Sequence, residues 1–354
     1  MRAYTRIVPV LVLALLATWA FHGCTAGQSI HGAARRGDLA AVRRMVVQSP
    51  MLVDADDGTG DTPLHVAAAY GQLAVAKYLL ANEARVSSRN KRGETPLQVA
   101  ERTGHPAVAS LLRCHLLCQA AARGDAAAVL SWLHRGVSAN CRAASGERPL
   151  HYAVRSRTPG VVALLARQGA DVNTVSSSYY GYDASVGGPW PGITPLILAA
   201  RCDDVPVVSQ LLQLGAEVNK PDGAGVTPLH YSAMCAERSD VVACLLAHGA
   251  DANARDSRGL VPLHYLASNK LASLSVLRDT VRRLLLKGAV LNAADDQGNT
   301  LLHQAVHANS SVAAAVLADT GAPINVRNKD GETPLSLASR LGDTSLVQVL
   351  SNSR

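Results

Sequence analysis

The 354 residues could hold two or three ordinary globular domains, and the 48% hydrophobic content is enough to build a core. Aromatics make up only 4%, which suits helices packed through Ala, Leu and Val. The formal charge of +7 is a mild surplus, and no run of Lys and Arg exceeds two residues, so the basic stripe of a nucleic-acid interface is missing.

The chain opens with Arg2 and Arg6, then Ile7 to Phe21 without a charge. This is a basic n-region and an apolar h-region of signal-peptide length, short for a spanning helix of about 20 residues. Gly23-Cys24 follows at once. The arrangement resembles a bacterial lipoprotein signal, in which a small residue precedes the cysteine that receives lipid. Residues 1–24 are therefore expected to direct export, with lipidation on Cys24. Cleavage after Ala20 or Ala26, giving a released protein, and an uncleaved signal anchor stay open beside it.

Asp61 to Glu94 reads as two short helices and a projecting turn. Thr62 can cap the first helix, and Pro63 fits the first turn, where a missing N–H costs nothing. Leu64, Ala67 and Ala68 fall on one face at helical spacing. Gly71 is placed to end the helix with positive φ. Val75, Leu79 and Leu80 supply the apolar face of the second helix. The polar run Ser87 to Gly93 suits a turn. One such unit has too little core to stand alone.

Copies follow. Thr95-Pro96-Leu97-Gln98 starts 33 residues after Thr62, and the same step separates Thr194 from Thr227 and Thr300 from Thr333. Arg148-Pro149-Leu150-His151 and Val261-Pro262-Leu263-His264 are further members. A period near 33 with T-P-L-H-x-A is the ankyrin pattern, and Gly169 to Asn173 and Gly249 to Asn253 match the G-A-D-x-N loop of that family. From residue 28 onward the chain resembles the ankyrin-repeat family. The resemblance implies an all-α solenoid of about ten helix–turn–helix repeats with short β-turn or hairpin tips. It also implies a concave surface, built from turn tips and first helices, that binds another protein.

Four irregularities mark the array. Residues 28–61 form a divergent first repeat carrying Ala33-Ala34-Arg35-Arg36-Gly37-Asp38 in place of T-P-L-H, as terminal repeats often do. The third repeat ends near Arg113 without its loop, and Cys114 to Cys118 runs straight into a second cap-like start. This predicts a 28–113 array of repeats 1–3 and a 114–354 array of repeats 4–10, with a hinge between them as a hypothesis. The step after Arg148 is 46 residues, and the surplus lies in an aromatic insertion at 174–192. The repeat from Val261 is six residues long in excess, which predicts an extended second helix or interhelix loop.

Chemistry has few candidates. His65, His151, His230, His264 and His303 share one repeat position, where the family uses the ring to bridge backbone groups of adjacent loops. Cys114 and Cys118, with His115, His134 and Cys141, lack the two paired clusters of a zinc site, so no metal and no cofactor is expected. Cys235 and Cys244 lie on the two antiparallel helices of one repeat and could face each other, but the preferred reading is that both are small core residues. The Asp-Gly turns, such as Asp295 to Gly298, resemble calcium loops but recur where the turn needs residues tolerant of positive φ. Hydrolase, metalloprotease and phosphate-loop motifs are missing, so no catalytic residues are assigned.

The insertion holds Tyr179, Tyr180, Tyr182 and Trp190 among Ser, Gly and Pro, a mixture that binding loops favour. A loop folded back over the array is the other reading. Together with the turn-tip cations Arg89, Lys91, Arg92, Arg255 and Arg258, these rings are the candidate partner-binding residues. The expectation is a non-enzymatic interaction scaffold in the bacterial periplasm or anchored in the envelope. Its partner is another protein, with a membrane reached through the lipid anchor, and no nucleic acid or small-molecule substrate is expected. A self-associating structural envelope protein is the alternative.

Overall fold

The computed structural model describes residues 29–176 and 192–352, apart from 236, 238, 270 and 271. Among these are nineteen α-helices and no strand. The chain divides into two compact units, Met1–Leu116 and Leu117–Arg354.

The first unit begins with α1 (Ile30–Arg36) and α2 (Leu39–Gln48), followed by a 3-10 turn, Pro50–Asp54. Ser29 caps α1, Gly37 closes it at φ +74°, and Asp38 immediately caps α2 through Ala41 N–H at 2.9 Å. The A-A-x-x-G-D signature is thus a helix stop joined to a helix start. The next repeats supply α3 (Pro63–Ala69), α4 (Leu73–Ala81), α5 (Pro96–Arg102) and α6 (Pro106–Ala122). First helices α1, α3 and α5 pack in one row, and α2 packs on α4 in the other. Ala33, Ala34, Ala67, Ala68 and Ala100 are fully buried along the first row. Their small side chains let the helices approach closely. At 17 residues, α6 is one uninterrupted helix through the sequence that lacks a loop.

The second unit continues with α7 (Ala126–His134), α8 (Pro149–Arg155), α9 (Pro159–Arg167), α10 (Pro195–Arg201), α11 (Val205–Gln213), α12 (Pro228–Cys235) and α13 (Asp240–Ala247). It ends with α14 (Pro262–Ala267), α15 (Leu274–Leu286), α16 (Leu301–His307), α17 (Ser311–Asp319), α18 (Pro334–Leu341) and α19 (Thr344–Asn352). Even-numbered α8 to α18 form the first-helix row and odd-numbered α7 to α19 the second. A single apolar cluster runs from Leu117 to Leu350 through this unit, the continuous core that stacked repeats build. The long repeat carries its surplus in α15, which has 13 residues against nine in α9, α11 and α17.

Within each unit, neighbouring turn tips touch by backbone hydrogen bonds at several places. Lys91 N–H donates to Thr59 O at 3.0 Å, Ser257 N–H to Ala224 O at 2.8 Å and Lys329 N–H to Gln297 O at 2.9 Å. Glycine is required where the tips cross. A Cβ on Gly60 would lie 2.8 Å from Lys91 N, and one on Gly225 would lie 3.1 Å from Asp256 Cα; both residues also have positive φ.

Candidate interaction surface

The repeated histidines are structural bridges. In His65 the Nδ1 accepts the Thr62 amide at 3.1 Å, so Nε2 carries the proton and donates to Glu94 O at 3.0 Å, in the next repeat. His230 joins Thr227 to Leu260, both at 3.1 Å, and His303 joins Thr300 to Glu332 at 3.1 and 2.9 Å. His151 spans Arg148 and Ile193 in the same manner. His264 keeps the Val261 amide at 3.1 Å, but its Nε2 lacks a well-formed hydrogen bond. Burial pushes His151 and His264 down to about 4 and lowers His230 and His303, so these rings are neutral near pH 7. A ring with both nitrogens committed to backbone has nothing left for a metal or a substrate.

Asparagines form a second ladder. Asn140, Asn173, Asn219 and Asn253 each donate to a glycine carbonyl of the next repeat, Gly169, Gly215, Gly249 and Gly288, at 2.7 to 3.2 Å. Their carbonyl oxygens accept from Asp171, Glu217, Asp251 and Val290. The turn-tip acids are used locally. Asp256 Oδ1 accepts from Arg258 and Leu260 amides at 2.8 Å, and Asp295 Oδ1 from Gln297 and Asn299 at 2.9 and 2.7 Å. These loops resemble calcium loops in composition, but their carboxylates hold the turn itself.

Of the candidate binding cations, Arg89, Lys91 and Arg92 project from one turn of the first unit, all exposed. Arg89 reaches back to the Gly93 carbonyl, while Lys91 takes part in the tip ladder through its backbone only. In the second unit, Arg255 donates to Ala294 O at 2.9 Å and lies 3.7 Å from Asp296. Arg258 is largely committed within its own repeat. It approaches Asp256 Oδ2 at 3.4 Å and Tyr265 Oη at 3.2 Å, and Tyr265 in turn donates to Asp256 at 2.8 Å. Cys24, Tyr179, Tyr180, Tyr182 and Trp190 lie outside the described residues. The insertion nevertheless has described ends. Ser176 N–H donates to Ile193 O at 3.0 Å and Gly192 N–H to Ser176 O at 3.1 Å, so the chain leaves and re-enters the array at paired positions.

A set of polar pairs on the first-helix row escaped the sequence reading. Glu94 with Arg102, Glu147 with Arg155 and Glu332 with Arg340 are eight residues apart in each case, at 2.7, 3.2 and 2.6 Å. Hydrogen bonding to the arginine holds Glu94 and Glu332 below the usual carboxylate range. In the corresponding place two other repeats use a tyrosine and an aspartate, Tyr231 with Asp222 and Tyr265 with Asp256, both at 2.8 Å. Burial raises both phenols, with the neighbouring carboxylate adding to the shift. The signal was present as an i, i+8 Glu–Arg spacing around three of the Pro-Leu starts. Its meaning needed the turn to fold back against the first helix.

The cysteines fall into two states. Cys114 and Cys141 are each in the disulfide state, whereas Cys235 and Cys244 are thiols packed against the core, in line with the preferred reading. Cys118 is a buried thiol whose burial pushes its pKa up. A sulfur in a disulfide has no thiolate to offer a metal.

Comparison with known proteins agrees with this architecture. The sequence profile described as Ankyrin repeats (3 copies) matches residues 30–116, 117–222, 178–256, 196–278 and 263–354. The chain is 37% identical over 147 residues to neurogenic locus notch homolog protein 1 of Xenopus tropicalis and 34% identical over 147 residues to that of Homo sapiens. Each alignment covers 42% of this chain and 6% of the relative. Rabankyrin-5 of Mus musculus is 32% identical over 163 residues, 41% of this chain and 14% of that protein. The chain therefore spans a small part of these relatives' length. The profile matches across both units, together with the histidine and asparagine ladders, place this chain in the ankyrin-repeat family.

Proposed function

We propose that the chain is a non-enzymatic interaction scaffold, exported to a bacterial envelope and held at a membrane through Cys24, that binds another protein. Ankyrin repeats generally mediate protein–protein interaction, and a shared fold does not choose the partner. The observation that carries the reading is how the polar groups divide. Histidines and asparagines join repeats and turn acids hold their own turns, while Arg89, Lys91 and Arg92 stand exposed on a tip whose backbone is fixed. Such a surface offers rigidly placed side chains for recognition and no converging acid, base and nucleophile for catalysis. The aromatic insertion adds large, low-entropy contact residues to the sequence of the second unit.

The test compares affinity capture from the native envelope by the full chain and by an Arg89→Ala, Lys91→Ala, Arg92→Ala variant. A protein partner retained by the wild type and lost by the variant supports the tip surface. Equal capture by both refutes it, and concentration-dependent self-assembly without a partner would favour a structural role. Cys24→Ser tests the anchor: the protein should leave the membrane fraction. A wild-type chain already recovered as soluble cleaved protein rejects lipidation.

A further inference from the structure

We infer that the outward face of the first repeat is a docking surface for an anionic lipid bilayer. Helix α2 buries Ala41, Val42 and Val46 and leaves Ala40, Arg43, Arg44 and Val47 exposed at i, i+3, i+4 and i+7. These four share one helical face. Val47 is 76% exposed, and Met51, in the 3-10 turn that follows, is 87% exposed, the highest value for a large hydrophobic side chain among the described residues. Helix α4, which packs on α2, adds exposed Lys77. The Arg43 guanidinium lies 5.5 Å from the centre of the Tyr78 ring.

Neither α2 nor α4 contains an acidic residue. In the second unit α7, α9, α11 and α19 also lack acids, while α13, α15 and α17 carry Asp240, Asp279 and Asp319, the last two paired with arginines. Fully exposed aliphatic side chains beside cations, with no anion on the same helices, match the chemistry of a bilayer interface. Phosphates meet the guanidinium groups, and the acyl boundary accepts Val47 and Met51. A nucleic acid would meet the cations but leave the aliphatic groups unsatisfied.

The position in the chain fits the same occupant, and here the inference rests on the membrane tether proposed above. The apolar stretch Ile7 to Phe21 ends eight residues before Ser29, the N-cap of α1. Fully extended, those residues span roughly 30 Å at most. A membrane-held N-terminus would therefore keep the first repeat at high local concentration near the headgroups, where even a weak surface engages.

The experiment uses the full chain with vesicles of phosphatidylcholine alone or with phosphatidylglycerol added. A genetically encoded environment-sensitive fluorophore replaces Met51, and flotation is measured on the same samples. The expected result is a blue shift with quenching by brominated acyl chains on anionic vesicles only. Raised salt or Arg43→Glu with Arg44→Glu should abolish it, and neutralising a single arginine should weaken engagement about fivefold. Unchanged circular dichroism would show that the variant folds. If the protein floats with both vesicle types while the fluorophore stays in water on both, the docking surface is wrong and the tether stands. If the protein fails to float with neutral vesicles but the fluorophore enters anionic ones, the tether is wrong and the docking surface stands. A shift produced by nucleic acid or an acidic polypeptide, and not by vesicles, overturns the inference.

Discussion

Replacing His230 should uncouple two repeats, and the size of the effect follows from its contacts. The ring is fully buried on α12. Its Nδ1 accepts the Thr227 amide and its Nε2 donates to Leu260 O, each at 3.1 Å, and it meets the Tyr265 ring edge-on at 4.9 Å. His230→Ala leaves one buried amide and one buried carbonyl without partners, about 1–3 kcal/mol each. The vacated ring volume adds a cavity cost, and water entering the space offsets part of it. The sum is roughly 3–6 kcal/mol, a large share of the 5–15 kcal/mol that usually holds a domain together. His230→Gln separates the two bonds. Gln98 occupies the same repeat position, and its Oε1 accepts the Thr95 amide at 2.9 Å. Glutamine should therefore keep the cap and lose the bridge to Leu260, at about half the cost of alanine. Urea unfolding gives the totals, and residue-resolved hydrogen exchange gives the location. Because repeats are coupled to their neighbours, α14 should lose protection together with α12. A cost below about 1 kcal/mol for alanine, or identical behaviour of alanine and glutamine, would refute the bridging role.

Further outcomes are expected elsewhere. His151 and His264 are pushed down to about 4 by burial, against 6.5 for the unperturbed side chain, so the unfolded chain binds more protons between those values. Stability should be complete above pH 6.5 and fall as the pH drops toward 4; denaturation midpoints that do not change between pH 7 and pH 5 would contradict this. Leu229→Ala, at a fully buried position on α12, should cost about 2–5 kcal/mol, and exchange should quicken in α10 and α14 as well; a change confined to surface loops would remove Leu229 from the core. Replacing residues 177–191 by a short turn should be tolerated, since Ser176 and Ile193 are already paired. An unchanged melting temperature with lost partner binding supports a recognition loop, and a lowered melting temperature shows that the rings of Tyr179, Tyr180, Tyr182 and Trp190 cover the array.

The repeats were legible in the sequence because their signals are local. Thr62 and His65 cap one helix across three residues, Pro63 starts it, and Gly37 with Asp38 ends one helix and begins the next. Each of these depends only on backbone geometry within a turn, so spacing reveals it. Contacts that depend on stacking were not legible in the same way. The residue that receives a histidine Nε2 lies 29 to 42 positions away, and only the rise from one repeat to the next brings it within reach. Cysteine state was legible in part: Cys235 and Cys244 are thiols packed against the core, as cysteine's burial habit suggested, whereas nothing in the spacing marked Cys114 and Cys141 as disulfide-bonded. Arg258 keeps the exposure that composition marks, and only the folded turn shows its contacts with Asp256 and Tyr265. Hydrophobic periodicity and helix caps are fixed within a few residues. Which polar groups remain available to a partner is decided only when neighbouring repeats close over one another.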